Sequence, residues 1–444
     1  MVTRLTEHSR RSVRLWTCIG GLAALAACGG GEEILQGDRE DLAQAIEAEI
    51  AVEDAAVPIT LPAQQSFASW THPGGNERHA APHAAFTTAP VQIWSSSIGS
   101  GDGRRQRINA HPIVANGRVF TVDSNGVVAA TSTGGERLWS ADLTPSLERR
   151  GQGGSHGLSY GGGALYVNTG FGEVVALDPA TGAELWTQDI DAQGGGSATY
   201  FDGRVYVAAR DSVGWAIDAE TGRVQWQLSG TPSGSSYLGG GGPALTDDLA
   251  IFPFPSGELL AVFRRGGVQR WNATILGGRS GVAYSAISDV AADPVVADDR
   301  VYVANPAGRL AALSAANGER LWTARAGSLK PPVVAGGSVF FVSDQNALTR
   351  LDAGTGQTIW QTELPLFEEQ RANRKKTVFG YYGPVLAGGR LWLTSSDGTL
   401  RGFDPVSGAE VANAPIQGGA ATPPVLAGGV MYVVTTRGQL IAFR

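Results

Sequence analysis

Between residues 89 and 444 the apolar positions come in short runs in which neighbouring side chains alternate in character, and helical spacing fits them poorly. "GRVYVAA" at 203–209 and "GRLAALS" at 308–314 are representative. A period of two over five or six residues is that of a strand packed between two layers. The runs sit in a repeated unit: a proline-led strand, a Gly turn, a "VYV"-like strand, a short polar turn, a "GxLxALD" strand and a "TGxxxW" ending. That ending reads "GERLW" at 135–139, "GAELW" at 182–186, "GRVQW" at 222–226, "GVQRW" at 267–271, "GERLW" at 318–322 and "GQTIW" at 356–360. Six tryptophans at one internal position of a unit of roughly 40–50 residues predict the blades of a propeller rather than a helical solenoid.

The turns agree with the strands. "DPATG" (178–182), "DAETG" (218–222), "DAGTG" (352–356) and "DPVSG" (404–408) place Asp where its carboxylate accepts from amides further along, and Gly where φ turns positive. These aspartates therefore read as structural. A seventh unit starts at Pro384 and ends in Ala412 where the others have Trp, so that blade is expected to be irregular. An eighth begins near Pro423 and stops before its last strand, while a spare strand stands at the other end in "APVQIWSSSI" (89–98). Pairing the two ends closes a ring and removes exposed sheet edges. The predicted fold is all-β: an eight-bladed β-propeller of four-stranded antiparallel blades, closed by its N- and C-terminal strands, with about 44 residues per blade. The recurring indoles are expected to pack blade against blade.

Composition narrows the function classes. The 62 glycines and 17% charged residues suit many turns and short strands, and the net charge of -7 gives no electrostatic footprint for nucleic acid. The only concentrated basic run is "RANRKK" at 371–376, inside "FEEQRANRKKTVFGYY" (367–382). The only cysteines are Cys18 and Cys28, which excludes a disulfide framework and a cysteine zinc site in the repeat region. Ahead of the repeats, Arg4, Arg10, Arg11 and Arg14 precede an apolar segment from Leu15 to Ala27 with the layout of a secretory signal. Its end, Leu25-Ala26-Ala27-Cys28-Gly29, resembles the bacterial lipobox. The expectation is a signal peptide over 1–27, lipidation at Cys28, and a body held at the periplasmic face of the outer membrane. Residues 28–88 read as a tether and lead-in, with loop-like "HPGGNERHAAPH" at 72–83. Its His72, His79 and His83 have no acidic cluster beside them and are not assigned to a metal.

With the units laid out, the repeat region resembles the pyrroloquinoline-quinone-like β-propeller superfamily, and together with the lipobox it is similar to the BamB family of outer-membrane assembly lipoproteins. The resemblance implies a scaffold that is not an enzyme, with no cofactor and with a BamA-like insertase as partner; unfolded outer-membrane proteins are a further implied partner. The partner loop of that family corresponds here to "SAISDVAADP" (285–294), which places Ser288 and Asp289 at the contact, although the family's second aspartate is Ala291 here. The preceding interblade loop, "TPSGSSYLGGGGP" (231–243), carries Tyr237-Leu238 where the family has an arginine flanked by leucines. Contact stretches are expected at 231–242, 275–290, which includes Arg279, and 367–382. Asp289 also has a purely structural reading, as a turn cap. Two other classes stay open. Quinoprotein dehydrogenases of the superfamily hold their quinone with a disulfide between adjacent cysteines, a Trp floor, and Glu, Asn and Asp around calcium. "DSNG" (123–126) and "SSDG" (395–398) are too short for EF-hand calcium loops, and His111 and His156 have no sequence-visible acid or nucleophile partner. A periplasmic binder of glycans or small ligands would use the central channel.

Overall fold

The computed structural model describes residues 57–194, 196–237, 239–279, 287, 289–368 and 377–444. Within them the strands form eight four-stranded antiparallel sheets. In the first, the strands run inward to outward as Ile113–Ala115, Arg118–Val122, Val127–Ser132 and Arg137–Asp142. Six further blades repeat this order without a crossover. The eighth takes Val425–Ala427, Val430–Val434 and Gln439–Phe443 from the end of the repeats and its outer strand, Gln92–Ser97, from their beginning. Trp94 pairs with Ala442 and Ser96 with Leu440, so the ring closes as the spare strand suggested.

The two middle strands of a blade are buried along their whole length, as in Ala164–Asn168, because each face packs on a neighbouring blade. Outer strands such as Glu184–Asp189 alternate between exposed and half-buried positions from Leu185 onward, with one face open. The core accordingly lies between blades. Ile113, Phe120 and Val128 of the first blade meet Leu158, Leu165 and Val175 of the second, and equivalent clusters recur around the ring.

The Trp and Gly of one motif serve opposite neighbours. Each outer-strand indole donates its Nε1–H to a turn carbonyl of the next blade: Trp139 to Pro179 (3.1 Å), Trp186 to Ala219 (3.0 Å), Trp271 to Ala315 (2.9 Å) and Trp322 to Ala353 (3.0 Å) among them. The ring lies flat on that turn's glycine. A Cβ on Gly182 would stand 2.6 Å from Trp139, and one on Gly356 2.5 Å from Trp322. Both glycines also have φ near +75°. Asp178 Oδ1 accepts from the amides of Ala180 and Thr181 and fixes the same turn, as Asp352 and Asp404 do in theirs. Ala412 is the exception for a geometric reason. The eighth blade borrows its outer strand from the N-terminal end and so has no such turn for an indole to lie on. Trp392 fills that junction instead, fully buried and edge-on to Phe86 at 5.6 Å.

Residues 57–88 are a strap across the end of the ring where the two inner strands of each blade turn. The innermost strands present unpaired amides to the axis, and residues 70–78 of the strap take up those of the first five blades in chain order. Trp70 pairs with Val114 in the first blade, Thr71 O accepts from Tyr160 in the second, and His72 Nε2 accepts from Tyr200 in the third at 3.1 Å. Glu77 O accepts from Leu245 in the fourth and Arg78 O from Val296 in the fifth. Val57 O accepts from the buried Arg350 guanidinium of the sixth (2.8 Å), Ala84 pairs with Leu386 and Gly388 of the seventh, and Phe67 O accepts from Gly428 of the eighth. All eight blades are thus bonded to one segment.

Candidate functional site: the loop face and the central channel

Chain direction puts the connections between consecutive blades at the end of the ring opposite the strap. Two of these connections, 230–243 and 275–294, are stitched together by carboxylates. Asp289 Oδ2 accepts the Tyr237 amide at 2.6 Å, and Asp293 Oδ1 accepts the Gly242 amide at 2.6 Å. Asp289 is 1% exposed. Burial raises its pKa, against the lowering effects of the Tyr237 N–H and the Arg210 charge. The side chain therefore shapes the loop pair from within. Its neighbours Arg210 and Ser236 are joined at 2.5 Å beneath it.

Arg279 is likewise engaged. Its guanidinium forms a two-pronged bond to Asp344 (2.6 and 3.1 Å) and donates to the Arg325 carbonyl (2.9 Å), which pins the 275–294 connection to the sixth blade. Asp344 also accepts the Gly327 amide at 2.8 Å. Of the sequence-derived contact residues, Tyr237 and Asp289 are bonded to each other, and Arg279 is bonded separately to Asp344 and Arg325. Cys28, Ser288, Leu238 and the basic run 371–376 lie outside the described residues.

The same loops surround the mouth of a cavity of about 800 Å³ along the ring axis. Tyr237, Gly239, Gly240, Ala292 and Asp293 line one side; Leu366, Val378, Phe379, Tyr381 and Tyr382 line the other. His111, Lys330 and Pro331 form the floor, which they share with a small cavity of about 30 Å³ walled by Trp70, Gly74 and His79 of the strap. Among the described residues the channel is closed by the strap at one end and open at the loop face. Burial holds the His111 imidazole down to about 4, with the Lys330 charge adding to the effect, and burial brings His156 to about 4 against the raising effect of the Asp123 charge. Both rings are neutral at pH 7. The Lys330 ammonium stands 5.5 Å from the centre of the Tyr382 ring, and its pKa is lowered by burial against the opposing charge of Asp293.

His72, His79 and His83 all serve the strap. His83 Nε2 accepts the Gly389 amide at 2.9 Å and its Nδ1 donates to the Pro62 carbonyl, while His79 Nδ1 meets the Pro294 carbonyl at 3.0 Å. The segment has no periodic pattern of its own, because its partners belong to eight separate blades.

The channel residues do not fit a calcium-bound quinone. No cysteine is present among the described residues, and none of their His, Cys, Asp and Glu side chains gather in threes suited to a metal. The two channel aspartates are already committed, Asp293 to a backbone amide and Asp344 to Arg279. Among the described residues the indole at the floor is Trp70, which belongs to the strap and not to a blade.

Comparison with known proteins places this geometry. A relative from Yersinia pestis, outer membrane protein assembly factor BamB, is 27% identical over 246 residues, 54% of this chain and 62% of that protein, so the match spans less than two thirds of the relative's length. The crystal structure of BamB from Moraxella catarrhalis superposes with a TM-score of 0.67 at 18% identity, covering 80% of this chain and all of that one. The quinohemoprotein alcohol dehydrogenase from Comamonas testosteroni shares the fold at a TM-score of 0.62 and 16% identity, over 90% of this chain and 82% of that one. The family profile described as outer membrane protein assembly factor BamB matches residues 124–362 and 369–444, well over half the sequence. The chain belongs to the outer membrane protein assembly factor BamB family.

Proposed function

We propose that this protein is a non-enzymatic scaffold of the outer-membrane β-barrel assembly machinery, docking a BamA-like insertase through its loop face. The observation that carries this reading is the stitched pair of connections, 230–243 and 275–294. Two carboxylate-to-amide bonds tie the described residues of one connection to those of the other, and the Arg279–Asp344 pair ties the start of the second to the sixth blade. A surface ordered before it meets a partner loses less entropy on docking, and charge-poor loops with exposed apolar tips such as Leu276 and Leu329 suit a protein interface. Asp289 acts within that surface by positioning Tyr237. The body is held at the periplasmic face of the outer membrane by lipid on Cys28, and no reaction is catalysed.

The test is capture of the purified periplasmic portion of a BamA-like insertase by the mature chain. Asp289→Ala frees the Tyr237 loop and lowers affinity at least tenfold, while its melting temperature stays within a few degrees of the parent. Undiminished capture by that variant removes the loop pair from the interface.

A further inference from the structure

The channel has a chemistry that docking at its rim does not use. Its floor holds an ammonium group, Lys330, that is half-buried and forms no ion pair with any described residue. Beside it the His111 ring faces the cavity, and below it His79 Nε2 is buried without a hydrogen-bond partner. Among the described residues Asp293 is the carboxylate that acts on Lys330, and one of its oxygens is taken by the Gly242 amide. Asp344, further up the wall, is neutralised by Arg279. A cation held away from bulk water without a counter-ion is costly unless something supplies the charge.

The wall above the floor is of the opposite character. Tyr381, Tyr382, Phe379, Leu366 and Val378 form one continuous apolar side, with Val378 51% and Leu366 38% exposed to the opening. A cavity of about 800 Å³ with one apolar wall and a few convergent polar groups has the dimensions of a small-molecule site. Among the described residues the strap leaves one route in, through the loop face.

We propose that the channel binds a small organic acid, its carboxylate seated on the Lys330 ammonium and the His111 ring and its apolar body lying against Tyr382, Phe379 and Val378. The acid group supplies the charge Lys330 lacks. At pH 7 the neutral His111 ring donates one N–H to it. The inference goes beyond the scaffold reading and stands or falls separately from it, since the floor lies away from the rim loops.

The experiment uses the full mature chain and anilinonaphthalene sulfonate, an anionic aromatic reporter whose emission rises in apolar sites. Saturable binding at one site per chain is expected, displaced by naphthaleneacetate but at least tenfold less well by naphthaleneacetamide, which has the same rings without the charge. Lys330→Met weakens naphthaleneacetate at least tenfold and leaves the amide unchanged; Lys330→Arg restores the acid to within about threefold. A second variant, Val378→Asp at the mouth, weakens acid and amide together without touching the floor. Equal affinities for acid and amide, or a Lys330→Met variant that holds the acid like the parent, overturn the proposal; so does reporter binding at many sites with no displacement by either competitor.

Discussion

Protonation of His72 is the perturbation whose cost can be worked most directly from the structure. The ring is buried and its Nε2 accepts the Tyr200 amide at 3.1 Å, so the proton must sit on Nδ1, beside Thr71 Oγ1 at 2.9 Å. A second proton would set an N–H against an N–H. Burial, reinforced by the neighbouring His79, lowers the pKa from 6.5 to about 3. The folded-state value lies below the unfolded one, so the stabilisation is complete above pH 6.5 and is lost as pH falls toward 3. Each pH unit in that window costs about 1.4 kcal/mol, or about 2 kcal/mol by pH 5. His111 and His156, both brought to about 4, steepen the dependence between pH 6.5 and 4 in the same direction. Replacing His72 with Gln keeps an acceptor and removes the titration. Urea-unfolding midpoints at pH 7.5, 6.5, 5.5 and 5.0 should fall less steeply for His72→Gln than for the parent, by about 2 kcal/mol across the series. Identical pH slopes for the two proteins would refute the assignment of the strap's contact to a neutral His72.

Other perturbations follow from the interblade contacts. Trp322→Ala removes a buried indole lying on Gly356 and should cost about 3–5 kcal/mol in chemical denaturation, whereas Ala412→Trp should give no rise in melting temperature, having no following turn to occupy. Gly182→Ala places a methyl 2.6 Å from Trp139 at φ +76° and should destabilise by more than the roughly 1 kcal/mol of ordinary left-handed strain, read from the same denaturation curves. Arg279→Met leaves the Asp344 carboxylate buried with only the Gly327 amide, for an expected loss of about 3 kcal/mol. Hydrogen exchange in that variant should quicken in residues 275–279 and 325–328 and stay unchanged in the first three blades.

The blades were legible in the residues because each unit repeats its own local chemistry. Asp178 and Gly182 specify a turn without reference to anything distant, and Trp186 marks the end of a strand wherever it packs. What the motif did not reveal is that Gly182 and Trp186 work with different blades, since that depends on how units stack. Alternation was also a weaker guide for the middle strands than for the outer ones: Val205 and Tyr206 are both fully buried, one on each neighbouring blade, so both faces read as apolar. The strap reads as loop because a segment whose bonds go to eight separate blades has no period of its own. The channel was invisible for a related reason. His111 and Lys330 are separated by a long stretch of sequence, and only ring closure brings them to one floor. Asp289 could be singled out by its place in a loop, but its burial, which decides how it acts, comes from the Tyr237 connection one blade away.

The strap has a mechanical consequence. A pull applied at residue 57 does not peel the first strand from the edge of a blade; it loads in shear a set of hydrogen bonds anchored on every sector of the wheel. The seam between Gln92 and Phe443, the one place where the ring is closed without a covalent link, lies beyond those bonds and is shielded from tension by them.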